Sequence, residues 1–195
     1  MNNVTVIYFV RHAEPNHSWE DDRSRPLSKD GEKDAEGIIE FFKEKRIDAL
    51  ISSPYKRSHT TILPTANYFR KEIELDERLK ERKAGKDSNN HELFHRRWEN
   101  KNFAEEGGES ISSVQARNIC VLEDVLKNMK GKTIIIGTHG TALSSIINYY
   151  QPQFCCKDFL RIINYMPYII RMNFCGRELV EMKEELLIEK QYRKD

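Results

Sequence analysis

Two strand-sized apolar runs, TVIYFV at 5–10 and TIIIGT at 133–138, constrain the fold of this chain most strongly. Both are rich in β-branched and aromatic residues, and neither shows the polar alternation of a strand with one solvated face. This pattern is typical of strands that are buried on both faces. Such strands need a layer of helices on each side, so the runs favour a mostly parallel sheet inside an α/β protein.

Helical patterns separate these runs from one another. We predict one helix from Ser28 to about Arg46, a second after Pro54, a third from Ser110 and a fourth directly after Gly140. Further strands are predicted at 48–53, 73–79, 168–174 and 178–184. Strands that alternate with helices predict a three-layer α/β/α sandwich around a mostly parallel sheet.

The length and charge of the chain limit its function. A chain of 195 residues is most simply one domain, here 1–195, and its Lys and Arg (32) nearly balance its Asp and Glu (31). We therefore expect no nucleic-acid partner. No apolar run reaches membrane-spanning length, and the N-terminus lacks the features of a signal peptide. A cytoplasmic protein without a membrane partner is expected, and nothing in the sequence indicates an oligomeric state.

Polar residues follow the carboxyl ends of the predicted strands. Arg11 and His12 end the first strand, residues 52–54 (SSP) end the second, Glu81 follows the third, and residues 138–140 (THG) end the fourth. In open α/β sheets, ligands bind outside the carboxyl ends of the strands. We therefore expect these four polar clusters to converge on one crevice.

The side chains in these clusters favour a phosphoryl group as the ligand. Arginine forks such as Arg11 and Arg57 match phosphate oxygens, and helix N-termini add backbone N–H groups. Cations around His12 would favour its neutral form, and a neutral imidazole can attack phosphorus. A protonated carboxyl can then give its proton to the departing alkoxide. Since the arginines supply positive charge, no metal or other cofactor is expected.

Five short stretches resemble, in their order, the motifs of the histidine phosphatase superfamily, which has the phosphoglycerate-mutase-like fold. They are VRHAE (10–14), SSPYKRSHTT (52–61), RLKERKAG (78–85), GGES (107–110) and GTHG (137–140). The resemblance implies a three-layer α/β/α fold with His12 as nucleophile and Glu81 as proton donor. It also implies that Arg11, Arg57 and His139 bind phosphate, with His139 also among the catalytic residues.

The loop after the candidate nucleophile departs from the mutases of this family. They usually have glycine next, then a hydroxyl residue and a later asparagine, whereas this chain has Ala13, Pro15 and Ser18, with a displaced Asn16 as candidate phosphate ligand. The region 86–109 is also shorter than in typical mutases, which must shield their phosphoenzyme from water. We therefore expect a metal-independent phosphomonoester hydrolase acting on a small phosphorylated substrate. The alternatives are a cofactor-dependent phosphoglycerate mutase and, behind it, a non-catalytic phosphate-binding module.

Residues 86–109 show no clean helical period and are predicted to form an excursion rather than a core element. Arg96 and Arg97 lie in it, and we expect it to form a lid over the strand ends with these arginines facing the substrate. The stretch 91–95 spells HExxH, a zinc-protease signature, which needs a helix and a third protein ligand. Its polar and basic surroundings argue against a zinc site, so no metal is expected.

Overall fold

In the computed structural model, which describes residues 4–88 and 90–190, a six-stranded sheet lies between two layers of helices. The strands are β1 (Val4–Arg11), β2 (Ala49–Ser52), β3 (Ile73–Leu75), β4 (Thr133–Thr138), β5 (Tyr165–Cys175) and β6 (Glu178–Glu189). The helices are α1 (Lys29–Phe42), α2 (Lys56–Phe69), α3 (His91–Glu99), α4 (Ile111–Asn128), α5 (Gly140–Tyr150) and α6 (Cys156–Ile162), with a 3-10 turn at Glu77–Leu79.

The strand order β3-β2-β4-β1-β5-β6 places the first strand near the centre of the sheet. β3, β2, β4 and β1 pair in parallel, whereas β5 and β6 add an antiparallel edge. The predicted α/β fold with a mostly parallel sheet is confirmed. β1 lies between β4 and β5, so its carboxyl end has a strand on each side and lies in the middle of the row of strand ends.

Both faces of the sheet are covered, as the apolar runs predicted. Successive side chains of a strand point to opposite faces. In β1, Ile7 and Phe9 join the core formed with α4, α5 and α6, whereas Tyr8 and Val10 join the core formed with α1 and α2. Burial on both faces explains why this strand carries no polar alternation.

Serine side chains begin two helices at the predicted positions. The backbone N–H of Gly31 donates to Ser28 Oγ at 3.0 Å at the start of α1. The backbone N–H of Ser113 donates to Ser110 Oγ at 3.2 Å at the start of α4. Each cap satisfies an N–H group that has no partner within the first turn of a helix.

The structure differs from the sequence-based description at three places. The third strand ends at Leu75, because Asp76 accepts a hydrogen bond from the Arg78 backbone and begins a 3-10 turn instead. The short helix α6 was not predicted. Residues 86–109 contain α3, whose Trp98 is buried in the core. A helix of nine residues makes about two and a half turns, too few to show a clear apolar period.

None of the helices in the described ranges is both long and apolar enough to cross a membrane.

Candidate active site

The ends of β1 and β4 bring two histidines together. Because the strands are parallel neighbours, Arg11 pairs in register with Thr138, and the backbone N–H of His12 donates to the Thr138 carbonyl at 3.1 Å. His139 follows as the residue that precedes α5. The ring centroids of His12 and His139 lie 5.4 Å apart.

The imidazole of His12 is oriented by its own backbone. His12 is buried, and its Nδ1 lies 2.8 Å from the Ala13 carbonyl oxygen. Since a carbonyl oxygen can only accept, Nδ1 carries the proton, and a neutral ring then has its lone pair on Nε2. Burial lowers the pKa of His12 well below its usual value, and the charges of Arg57 and Arg11 lower it further. The ring is therefore neutral, with Nε2 as its basic atom, at neutral pH.

His139 is held from the neighbouring strand β2. Its Nε2 lies 2.7 Å from the hydroxyl oxygen of Ser53, the residue after β2, and the side chain is fully buried. Its buried Nδ1 has no hydrogen-bond partner among the described residues. Burial lowers the pKa of His139 well below its usual value, and the charge of Arg57 adds to this effect. The second imidazole is therefore also neutral, with one nitrogen uncommitted.

Arg11 contributes a buried positive charge. Its Nη1 donates to the carbonyl oxygens of Ile162 (2.8 Å) and Tyr165 (3.2 Å), while its buried Nε has no partner among the described residues. Burial lowers the pKa of Arg11 to about 10, so the guanidinium remains charged at neutral pH. Glu81 opposes this shift through its negative charge.

Arg57 contributes a second buried charge from the first turn of α2. Its Nη1 donates to the Asp22 carbonyl oxygen at 2.6 Å and lies 3.1 Å from Asp22 Oδ1, and its side chain is 4% exposed. Its guanidinium also lies over the ring of Tyr55, 5.2 Å from the centroid. The sequence did not indicate the contacts with Asp22 and Tyr55. Asp22 lies in the run EDDRSR, where one acidic residue among several charged ones carries no distinguishing signal.

Glu81 lies against the N-terminus of α5. Its Oε2 accepts a hydrogen bond from the backbone N–H of Thr141 at 3.0 Å, and its Oε1 accepts one from Ala142 at 3.2 Å. These amides belong to the first turn of the helix that follows His139, where N–H groups have no partner within the helix. The structure thus attaches the carboxyl to the same helix start that carries the second histidine.

The candidate residues Asn16 and Arg96 each contact a neighbour within their own segment. Asn16 Oδ1 accepts hydrogen bonds from the Ser18 backbone (3.1 Å) and hydroxyl (2.7 Å), which fixes it within its own loop. The exposed guanidinium of Arg96 lies 4.1 Å from the ring centroid of Phe103. Phosphate binding by Asn16 and substrate contact by Arg96 stay predictions.

Arg97 is buried inside the excursion. Its Nη1 donates to Glu105 Oε1 and its Nη2 to the Ser88 carbonyl, both at 2.8 Å, and Arg82 binds the same carboxylate oxygen. The side chain of Glu105 is 3% exposed, and its pKa is lowered to about 2 because hydrogen bonds and the charge of Arg82 outweigh the effect of burial. Arg97 thus serves as a partner of a buried carboxylate, and contact between Arg97 and the substrate stays a prediction.

The HExxH stretch lies on α3 with His91 Nε2 and His95 Nε2 at 3.2 Å from each other. The helix that this motif requires is therefore present. Within 4–88 and 90–190, no group of three or more His, Cys, Asp or Glu side chains is placed to hold a metal ion.

Comparison with known proteins identifies the relatives of this chain. A model described as the histidine phosphatase superfamily (branch 1) matches residues 7–174. "Metal-independent phosphoserine phosphatase" of Arabidopsis thaliana is 31% identical over 74% of this chain and 68% of its own length. "Phosphoserine phosphatase 1" of Hydrogenobacter thermophilus is 29% identical over 70% of this chain and 71% of its own.

Solved structures share the fold. The mycobacterial glucosyl-3-phosphoglycerate phosphatase superposes with a TM-score of 0.78 at 14% identity, covering 96% of this chain and all (100%) of that one. A phosphoserine phosphatase mutant from Entamoeba histolytica, in complex with phosphoserine, gives a TM-score of 0.75 at 21% identity, with 91% and 96% covered. At these identities, the superpositions establish the architecture.

Proposed function

The chain belongs to the histidine phosphatase superfamily and is a phosphatase, and we propose that it hydrolyses small phosphomonoesters, without a metal ion, through a phosphohistidine formed on His12. One observation carries the proposal. His12 is buried, neutral and oriented so that the lone pair of Nε2 is free, while the charges of Arg11 and Arg57 both act on its ring. This is the state that a histidine nucleophile needs.

The first step transfers the phosphoryl group to the enzyme. His12 Nε2 attacks phosphorus in line, the N–P bond forms, and the bond from phosphorus to the alkoxide oxygen breaks. Glu81 is the group that we assign to give a proton to the departing oxygen. Hydrogen bonds from the backbone N–H groups of Thr141 and Ala142 hold its carboxyl at the helix start that follows His139.

The transferring oxygens carry negative charge that the protein neutralises. Arg11, Arg57 and the Nδ1 N–H of His139 are the donors that we assign to this charge. Both Arg11 Nε and His139 Nδ1 are buried without a partner among the described residues, which costs free energy unless a ligand uses them. A tautomer of His139 with the proton on Nδ1 lets Nε2 accept the Ser53 hydroxyl at 2.7 Å.

The second step releases phosphate. A water molecule attacks phosphorus, the N–P bond breaks, and the Glu81 carboxylate takes the proton of the water. His12 returns to its neutral form with Nε2 free. The same carboxyl thus acts first as an acid and then as a base, so a single fixed position serves both steps.

Phosphoserine is the first natural substrate to test. The two relatives named above are called phosphoserine phosphatases. The buried cations beside His12 suit the phosphoryl oxygens of any small monoester, so phosphoserine is tested as one member of the class of small alkyl phosphates.

The test is trapping of the intermediate in excess EDTA. Wild type, His12→Ala and His91→Ala are mixed with labelled phosphoserine or p-nitrophenyl phosphate and quenched within one turnover. We expect an acid-labile, alkali-stable phosphoenzyme in wild type and in His91→Ala. The control replaces a histidine of the HExxH stretch on α3. The His12→Ala enzyme should carry no label and turn over at least ~100-fold more slowly. Labelling of the His12→Ala enzyme, or turnover that EDTA abolishes, would refute the proposal.

A further inference from the structure

Arg117 on α4 binds the backbone of the segment that carries Glu81. Its Nη1 donates to the carbonyl oxygens of Arg78 and Lys80, both at 2.6 Å, and its Nη2 donates to the carbonyl oxygen of Glu81 at 3.1 Å. One guanidinium thus binds three carbonyl groups within four successive residues. Residues 81–85 belong to no helix or strand, so they lack the regular backbone hydrogen bonds that would otherwise hold them.

Glu109, from the GGES stretch, completes this arrangement. Its two carboxylate oxygens bind Arg117 Nε at 2.8 Å and Nη2 at 2.9 Å, the paired geometry in which arginine and carboxylate fix each other's plane. Both side chains are mostly buried, with 14% and 15% exposed. The backbone of Glu109 also donates to the carbonyl oxygen of Lys83 at 3.0 Å. The guanidinium therefore has one orientation, and that orientation points at the carbonyls around Glu81.

The glycines of the neighbouring stretches permit this close approach. A Cβ on Gly85 would lie 2.5 Å from the Glu106 carbonyl oxygen and 2.6 Å from the Gly108 nitrogen. The two backbone segments, 81–86 and 105–109, therefore pass each other at a distance that only glycine allows. The GGES stretch thus serves to hold the chain around Glu81, a use that its sequence alone does not indicate.

We propose that Arg117, fixed by Glu109, is a positioning residue for proton transfer: it holds the Glu81 backbone so that the carboxyl meets both the helix start at Thr141 and the leaving group. Arg117 itself touches no reacting atom. The inference rests on the proposed role of Glu81 as proton donor.

A positioning role predicts a loss that depends on the leaving group. The alkoxide released from an alkyl phosphate needs a proton in the transition state, and general acid catalysis contributes on the order of 10²–10⁴-fold. The p-nitrophenolate ion is stable without a proton, so its release needs little help from an acid. Loss of a well-placed acid should therefore slow alkyl phosphates far more than p-nitrophenyl phosphate, whereas general damage to the fold slows both alike.

The experiment measures kcat/KM for p-nitrophenyl phosphate and for the faster of two alkyl phosphates, phosphoserine and 2-glycerophosphate. The enzymes are wild type, Arg117→Lys, Glu81→Gln and the double variant. Arg171→Lys is the matched control, since Arg171 on β5 is also mostly buried and binds the carboxylates of Glu181 and Glu185. A lysine keeps the charge of Arg117, but its three N–H donors cannot replace the five contacts that the guanidinium makes with the three carbonyl groups and the two oxygens of Glu109.

We expect Arg117→Lys to slow the alkyl phosphate at least ~10-fold more than p-nitrophenyl phosphate, as Glu81→Gln does. In the Glu81→Gln background, adding Arg117→Lys should cost little more, because residues acting in one step are not additive. The Arg171→Lys control should leave the ratio of the two rates at its wild-type value.

Equal losses for both substrates in Arg117→Lys, or additive losses in the double variant, would overturn the inference while leaving the proposed function intact. Equal losses in Glu81→Gln would remove the proton-donor role and the inference with it, although phosphorylation of His12 would stand. If Arg117→Lys melts at a much lower temperature than wild type, Glu109→Gln provides the same comparison, since it loosens the guanidinium without removing it.

Discussion

At the scale of single residues, the site combines two buried histidines that are neutral with a buried arginine that is charged. The imidazoles of His12 and His139 are kept neutral by burial and by neighbouring cations, whereas Arg11 stays charged although burial lowers its pKa to about 10. The difference lies in the ordinary pKa values, about 6.5 for histidine and above 12 for arginine. The same buried environment therefore holds neutral imidazoles beside a guanidinium that stays charged.

Arg57→Ala tests the electrostatic part of this site. If Arg57 stabilises the transferring oxygens by ~3 kcal/mol, its removal should lower kcat/KM by ~100-fold or more. Arg96→Ala should have a far smaller effect, because its guanidinium is exposed against Phe103. Steady-state kinetics with p-nitrophenyl phosphate measures both.

Arg161→Ala is the control for loss of an arginine that pairs with a carboxylate on the surface, since Arg161 is half exposed and bound to Glu184. Similar mild losses in the Arg57 and Arg96 variants would place the phosphate pocket elsewhere.

At the scale of elements, the packing of α3 makes part of the 86–109 excursion a core element. Trp98 packs against Phe154 and Phe159 at centroid distances of 6.0 and 5.8 Å, and Arg97 binds the buried Glu105. An excursion held by an aromatic anchor and a buried ion pair is part of the folded core at this helix. Closure of the whole excursion as a lid would break these contacts, and the lid itself stays a prediction.

The two tryptophans provide a matched test of this packing. Trp98→Ala should lower the free energy of unfolding by about 3–5 kcal/mol, because Trp98 is only 9% exposed and leaves a cavity among aromatic rings. Trp19 is 45% exposed on the loop after β1, so Trp19→Ala should change the free energy of unfolding by about 0.5 kcal/mol or less. Urea unfolding followed by circular dichroism measures both. Equal changes would mean that α3 is not packed as described.

At the scale of the whole molecule, the buried histidines couple stability to pH. Their pKa values are lowered in the folded state, so below the ordinary histidine value the unfolded chain binds more protons than the folded one. Their contribution to stability is therefore fully present above about pH 6.5 and is lost as pH falls below it.

We expect the free energy of unfolding to fall more steeply between about pH 7 and pH 5 in wild type than in the variant with both His12→Asn and His139→Asn. Urea denaturation at several pH values gives both slopes. The carboxylates titrate in both proteins, so the difference between the slopes isolates the two histidines. Parallel slopes would mean that the imidazoles are charged in the folded state.

The sequence by itself determined the layers of the fold and the approximate positions of most strands and helices. Apolar runs such as 5–10 specify burial on both faces, and serines such as Ser28 and Ser110 mark helix starts, because both signals are local. The strand-end positions of Arg11, His12 and His139 could also be predicted, since parallel strands bring their carboxyl ends to one edge of a sheet. Glu81 lies beyond the 3-10 turn that follows β3, so the strand pattern did not give its position.

Only the tertiary structure decided which cations face inward and what each of them binds. Arg97 and Arg117 are both arginines on helices, yet one binds Glu105 inside the excursion and the other holds the backbone of a residue 36 positions away. Such contacts join distant segments whose approach depends on core packing and on glycines at the crossing. Local sequence patterns describe the periodicity of one element, and they carry no information about the partner that packing brings to it.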